Sequence, residues 1–473
     1  MHQKHEISRL HPTLPAAAPN DLHAVDRKII HLALTSLGTL LVEPLLVAVD
    51  STMIGRLGTT ELAGLSLASA VLTTIVGLCI FLTYATTAAT ARAFGAGKKQ
   101  QAARLGIDGI WLAAALGGLL WIFIFLFATP ILQLFGPQPQ VLPHAVGYLQ
   151  ASAAGLPGML LVLATTGALR GFTDARTPLI ASTFGACLNI PLNIAFIYIW
   201  GFGVTGAGIG TAIAQNLMGA FLTWRFARIA KKVQANLGFS GSGVFSSLRA
   251  SFPLLVRTIS LRTALLAQIA AATALGTLAL AANQIVFTMW NFAAYGLDSL
   301  AIAAQIMIGQ SLGNGDKQSV KTILQRCISW SWRAGILLGF SFACFALFIP
   351  QLMSFDAKVQ LMSRAALWLI ALSLPISALT YLLDGVLIGA GDTKKLAKYM
   401  LIALFSFLPF AAALIQFGPR LALHFATPTH AMLPDGMTLG MLLLWAAYAL
   451  IFMGVRAATM YRRIKDEAWM HLS

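Results

Sequence analysis

The sequence predicts an all-α polytopic membrane protein: twelve transmembrane helices in two six-helix bundles, related by a pseudo-twofold axis along the membrane normal. Three observations predict it. Of 473 residues, 58% are hydrophobic and only 10% charged, where a domain facing water carries about a quarter charged. Apolar runs of about twenty residues, enough to cross a bilayer as helix, recur along the whole chain. Finally, the sequence matches itself when slid by 218 residues.

The apolar runs of the first half are Ile29–Leu57, Leu62–Ala91, Leu105–Thr129, Val141–Leu169, Pro178–Trp200 and Val204–Trp224. Those of the second half are Leu248–Leu275, Leu280–Leu312, Ile323–Ile349, Val359–Ile388, Leu396–Phe417 and Met437–Val455. A single segment in hydrocarbon satisfies its backbone only as a helix. The alternating ten-residue pattern of an outer-membrane barrel is absent. The expected organisation is a cytoplasmic tail over 1–28, a six-helix half over 29–229 and a cytoplasmic linker over 230–247. A second six-helix half follows over 248–460, with a short cytoplasmic tail over 461–473.

The first 28 residues are polar and proline-dotted and show no basic-then-apolar signal peptide. Four cysteines, Cys79, Cys187, Cys327 and Cys344, sit in or beside apolar runs without paired spacing. They read as small core residues rather than a disulfide frame or a metal site. The formal net charge of +16 would point to nucleic acid in a water-soluble chain, but its distribution excludes that reading. With the N-terminus inside, the inward segments hold 25 Lys and Arg; the outward loops hold four, Arg56, Lys358, Arg364 and Arg420. Basic residues are retained on the cytoplasmic side, so both termini are expected inside.

At the offset of 218, Gly58-Thr59 meets Gly276-Thr277 and Leu62-Ala63 meets Leu280-Ala281. Gly95-x-Gly97-x-Lys99-Gln100 meets Gly313-x-Gly315-x-Lys317-Gln318, and Leu156-Pro157 meets Leu374-Pro375. Gly167, Leu169, Gly171 and Asp174 meet Gly385, Leu387, Gly389 and Asp392. Six is an even number of crossings, so both halves enter the membrane in the same orientation. This is the parallel-repeat arrangement of secondary transporters, which bind substrate between halves near the midplane. The basic stretch 225–249, with its Gly- and Ser-rich centre, reads as a flexible linker. A longer loop around Pro419–Pro434 interrupts the repeat.

The stretch Glu43-Pro44-Leu45…Asp50-Ser51…Gly55-Arg56-Leu57-Gly58…Leu62-Ala63-Gly64 resembles the first helix of multidrug and toxic compound extrusion (MATE) transporters. Arg170-Gly171…Asp174-x-Arg176-Thr177-Pro178 and Leu383-Asp384-Gly385-Val386…Gly389-Ala390-Gly391-Asp392 resemble that family's helix 4–5 and 10–11 junctions. Leu297-Asp298-Ser299-Leu300-Ala301 is similar to its DinF-like branch. The resemblance covers residues 30–460 and implies a V-shaped fold of two bundles that exports compounds on a proton or sodium gradient.

An acid inside hydrocarbon is costly when charged, which makes Glu43, Asp50, Asp108, Asp298 and Asp384 candidates for function. Asp108 lies close to a helix end and reads as interfacial. Counting the rise per residue puts Asp50, Asn193 and Thr211 in the outer half of the membrane, with Asn189 one turn nearer the midplane. Asn189 and Asn193 are spaced i, i+4 and share a face. The family resemblance implies that these four positions form a cation-linked cluster. Where many relatives carry a second Asp, this chain has Asn193. That weakens sodium, which wants several oxygens with enough negative charge. A lone desolvated carboxylate suits a reversible proton carrier, so H+ is favoured over Na+.

Asp50 aligns with Gln268 at the offset, so coupling is expected in the first half. Glu43-Pro44 breaks one backbone hydrogen bond of the first helix and is either a fixed kink or a hinge. Arg257 and Arg262 of the seventh helix need partners; an Arg257–Asp298 or Arg257–Asp384 pair is expected toward the cytoplasmic half, with substrate binding as the alternative role. Gly201-x-Gly203-x-x-Gly206 follows a membrane helix rather than a strand, so it is a tight turn and not a dinucleotide site. No P-loop, HExxH, GxSxG or CxxC motif occurs.

The expected function is a cation-coupled antiporter exporting organic compounds or drugs from the inner membrane. No cofactor or metal is expected beyond the coupling ion. The expected partners are the lipid bilayer and a small organic substrate, without nucleic acid, and the chain is expected to be a monomer. Three alternatives stay open: a major facilitator transporter, a flippase for lipid-linked intermediates, and a membrane-embedded transferase enzyme. The 93–99 loop lacks the Asp- and Arg/Lys-rich signature of the first, and no paired acids or histidines at a membrane face favour the last.

Overall fold

A computed structural model describes residues 22–424 and 436–471, without the side chains of Glu43, Pro419, residues 421–424 and His471. The described chain crosses back and forth as twelve helices. In order they are α1 (Leu22–Gly55), α2 (Thr59–Gly95), α3 (Lys99–Gln133), α4 (Val141–Ala153 with Leu156–Gly171), α5 (Arg176–Ile199) and α6 (Gly203–Lys232). The second half repeats them as α7 (Gly241–Leu275), α8 (Thr277–Gly313), α9 (Lys317–Phe345), α10 (Ala357–Ala390), α11 (Thr393–His424) and α12 (Gly436–Lys465). Ten are long and apolar enough to span a membrane, and α4, bent by 47°, makes an eleventh. The twelfth, α6, is diluted by glycine and by Gln215 and Asn216, yet its 30 residues exceed the length a bilayer requires.

The ends differ from expectation at three places. Helix α1 begins by Leu22, inside the expected tail, and its Asp26 is ion-paired with Arg326 of α9. Residues 1–21, the 425–435 stretch of the expected long loop and residues 472–473 lie outside the described residues. The linker shrinks to the residues between Lys232 and Gly241, and side chains of α3 hold it. Gln100 donates to the Gln234 carbonyl, Arg104 to those of Asn236 and Gly238, and Trp111 to that of Leu237. Flexible composition is overruled here because backbone carbonyls, which every residue owns, find fixed donors. Asp108 also differs: it is buried, paired with Arg104 at 2.7 Å, and its carboxylate lies over Gly243 at the start of α7.

The twofold relation is visible in the contacts. Where α2 crosses α8, a Cβ on Gly95 would come within 2.0 Å of the Gln310 carbonyl oxygen, and one on Gly313 within 2.0 Å of the Arg92 carbonyl oxygen. Gly95 and Gly313 are repeat partners, and so are Arg92 and Gln310, so each contact is the other rotated. The side chains follow: Arg92 donates to the Gly389 carbonyl at 2.9 Å, and Gln310 to the carbonyl of Gly171, the repeat partner of Gly389, at 3.1 Å. Thr173 and Gly391, again 218 apart, both hold positive φ, 64° and 85°. These bridges gather at the end of the molecule that carries the α2–α3 and α8–α9 turns, here termed the closed end.

Cys79 and Cys327 are buried, as expected, but Cys187 and Cys344 are exposed, and all four are free thiols.

Candidate functional site

The polar nest assembles toward the opposite end of the first half. Asp50, five residues before the end of α1, is buried, as are Asn189 and Asn193 of α5. Asn193 Nδ2 donates to Asp50 Oδ1 at 2.7 Å and to Asn189 Oδ1 at 3.1 Å. Asn189 Nδ2 donates in turn to Thr211 Oγ1 on α6 at 3.2 Å, and the Thr211 hydroxyl also faces Asp50. The four residues singled out from spacing therefore form one hydrogen-bonded chain.

Local sequence explains why they meet. Pro191 lies inside α5 between the two asparagines, and the helix widens into a π-turn at Ala195–Ile199; a missing N–H loosens the ladder there. Gly210 lets α6 approach, because a Cβ in its place would stand 2.2 Å from Asn193 Oδ1. That oxygen is buried without a hydrogen-bond partner among the described residues. Tyr148 of α4, also buried, brings its phenol to Thr211 and Ser69; the sequence reading missed it, since a tyrosine in an apolar run looks like packing. Helix α1 passes through Pro44 unbroken, and Pro44 is the second half of the expected Glu43-Pro44 element.

The charged residues gather elsewhere, near the closed end. Arg257 of α7 is paired with Asp384 of α10, which realises one of the two expected partners. Asp298 of α8 is not paired with Arg257; it accepts from the Tyr84 hydroxyl of α2 at 2.8 Å, while the Arg257 guanidinium lies 5.2 Å from the Tyr84 ring centre. Two further cations were missed. Arg456 reaches Asp384 at 3.2 Å, and both it and Arg170 are almost wholly buried, at 2% and 3% exposure. At the ends of apolar runs they had read as cytoplasmic topology charges. Arg262 of α7 is half-buried, with no acid or hydrogen-bond partner among the described residues; its guanidinium fills the notch left by Gly77 of α2.

The second-half position equivalent to Asp50 is neutral. Gln268 donates to Asn283 Oδ1 at 2.9 Å, and Trp445 donates to the same oxygen at 3.1 Å. Among the described residues, no group of three or more His, Cys, Asp or Glu could hold a metal ion.

A fold of two six-helix halves with buried acids at membrane depth defines a membrane transporter, and the comparisons place it. The MatE family profile matches residues 36–195 and again 253–413, the stretches that the offset superposes. The chain belongs to the MatE family and is a multi-pass transporter of the MATE type. It is similar to DNA damage-inducible protein F of Escherichia coli K12, 29% identical over 399 residues, covering 81% of this chain and 84% of that protein. The multidrug resistance protein MdtK of Yersinia pseudotuberculosis is 25% identical, over 78% of this chain and 83% of its own. The fold matches that of the Vibrio cholerae MATE transporter VcmN in its bent form, TM-score 0.82 at 20% identity, over 95% of this chain and 99% of that one.

Proposed function

We propose that this chain is a proton-coupled antiporter that exports small organic compounds from the cytoplasm by alternating access, with Asp50 as the coupling group. The observation that carries the reading is the isolation of Asp50. It is the one carboxylate in the described nest, held by the neutral residues Asn193 and Thr211. A hard cation seated on Asp50 would need oxygens, yet Asn193 turns its NH2 group there and its oxygen onto Gly210. A proton needs less. Rotating the Asn193 amide exchanges NH2 for oxygen, so the same side chain serves the carboxylate as donor and the neutral acid as acceptor. Proton exchange at Asp50 thus reorders the α1–α5 contact, which is the differential interaction that shifts a two-state equilibrium. Pro44, within the same helix, is the hinge that takes up the change.

The basic residues of the α2–α3 and α8–α9 turns make the closed end cytoplasmic by the positive-inside rule, with both termini on that side of the inner membrane. The state described is then outward-facing. Labelling from outside is expected to reach a cysteine placed at Gln138 and to miss one at Ser242; the reverse would invert the topology.

In liposomes, wild-type efflux is expected to follow an imposed proton gradient. Asp50→Asn is expected to bind substrate and lose gradient-driven export. Asn193→Asp gives the nest a second carboxylate and is expected to add sodium dependence. Wild-type export driven by sodium alone, or normal export by Asp50→Asn, would refute the assignment.

A further inference from the structure

The closed-end cluster is unbalanced in charge. Arg170, Arg257 and Arg456 surround Asp298 and Asp384, a formal excess of one positive charge, and Arg262, farther along α7, adds a cation with no acid partner among the described residues. Asp384 already serves two arginines, Arg257 and Arg456. Asp298 takes its hydrogen bond from Tyr84, with Arg170 and Arg257 beside it. The Nε atoms of Arg170 and Arg456 are buried without a partner among the described residues. Excess positive charge at membrane depth is costly unless something supplies the opposite sign.

Arg262 is the member of the group in position to receive it. It stands five residues beyond Arg257 along α7, about 7.5 Å farther from the closed end at the helical rise. The other arginines are tied to aspartates or sealed in packing; Arg262 is half-buried, and its guanidinium reaches from one half to the other. The contact point is Gly77, just before α2 breaks at Cys79 and resumes at Phe81. Its planar fork of donors suits a carboxylate, sulfonate or phosphate in bidentate geometry.

We propose that Arg262, where α7 of one half meets α2 of the other, is the anchor of an anion-binding site, and that the exported compound carries an anionic group which this residue recognises. The proposal rests on the antiporter reading for its transport meaning, but the site itself stands on charge and geometry. The anionic head is held at Arg262, in the field of the neighbouring cations, where α7 touches α2. Closing the opposite end and parting the closed end would pull α2 from α7 and remove the Gly77 notch. Anion affinity is then coupled to the conformation without any contact to Asp50.

The test uses the full-length protein in phosphatidylcholine nanodiscs and two naphthalene probes of opposite charge, 2-naphthalenesulfonate and trimethyl(2-naphthylmethyl)ammonium. Wild type is expected to bind the sulfonate at least tenfold more tightly than the ammonium. Arg262→Gln is expected to lose that preference, and Arg262→Lys to keep part of it. Gly77→Ala, which retains the charge but displaces the guanidinium, is expected to weaken the sulfonate severalfold and leave the thermal midpoint near wild type. Unchanged sulfonate binding in Arg262→Gln, or a wild-type preference for the ammonium, overturns the proposal. So does loss of sulfonate binding when phosphatidylglycerol is added, since the site would then belong to a lipid headgroup. Asp50→Asn, which biases the conformational equilibrium, is expected to change the sulfonate affinity but to keep the preference for the sulfonate over the ammonium, which Arg262 sets. If charge selectivity persists while no ion gradient drives export, the antiporter reading fails and the anion site survives.

Discussion

At the offset of 218, Thr39 and Thr166 of the first half stand where the second half has Arg257 and Asp384. Conversely, Asp50, Asn189 and Asn193 stand where the second half has Gln268, Phe407 and Ala411. The backbone repeats while the buried acids sit at different depths, Asp50 in one half and Asp298 and Asp384 in the other. In the first half the polar groups form a hydrogen-bonded chain with one carboxylate. In the second half the matching depth holds the neutral Gln268–Asn283 pair and aromatic packing, with Phe407 5.9 Å from both Tyr448 and Phe452 by ring centres. Its charges lie instead near the closed end, locked in an Arg–Asp–Arg arrangement. Under the proposed function this is a division of labour between halves of common design: one contains the group proposed to change state, the other a frame of fixed ion pairs.

The largest way to break this comparison is to attack the frame. Arg257→Ala leaves Asp384 with Arg456 alone, and removing one partner of a buried pair costs on the order of 3–5 kcal/mol. Thr39→Ala, at the repeat-equivalent position, removes only a bond to the Thr35 carbonyl of its own helix, worth about 1 kcal/mol or less. Thermal unfolding in detergent should therefore separate the two variants widely. Equal midpoints would mean that the charge cluster adds nothing to the second half.

A middle-sized effect tests what the halves share. Gly95→Val and Gly313→Val each place a side chain where the partner helix already has backbone. Overpacking of this kind costs about 1–3 kcal/mol, and here it falls on the state in which the closed end is shut. Paired spin labels across α2 and α8 are expected to report a longer mean distance in both variants, by a similar amount. A shift in only one of them would show that the crossing is not twofold.

How much of this was legible follows from what kind of information each feature needs. Helix spans and the repeat are properties of single segments, so composition and self-comparison suffice. The nest was legible because Asn189 and Asn193 share a face and Asp50 is an acid at comparable depth; only its order of hydrogen bonds required coordinates. Arg170 and Arg456 were not legible, because a basic residue ending an apolar run looks the same whether it faces cytoplasm or folds inward. A signal existed: two acids, Asp298 and Asp384, near one depth call for more than one cation. Tyr84 and the pinned linker depend on partners more than a hundred residues away, which no local pattern encodes. Pro44 was visible as a kink former, yet α1 continues through it, since a proline inside a helix removes one bond without ending the helix when neighbours hold it.

The smallest expected effect sharpens the comparison most. Arg92 and Gln310 are repeat partners making rotated copies of one hydrogen bond, to Gly389 and Gly171. They differ in charge and in length, so they show what an asymmetric side chain does in a symmetric place. A bond from a charged donor is worth about 1.5–3 kcal/mol and a neutral one about 0.5–1.5. Arg92→Ala should accordingly loosen the closed end more than Gln310→Ala, by roughly tenfold in the open-to-shut ratio for a difference of about 1.4 kcal/mol. The glycine crossing lies between the two bonds, so their energies should not add fully; contacts within one network rarely do. Spin-label populations for both single variants and the double variant would give the coupling directly. A larger effect from Gln310 than from Arg92 would reverse the ranking and show that the shut state is held through α8 rather than through the charged side of the crossing.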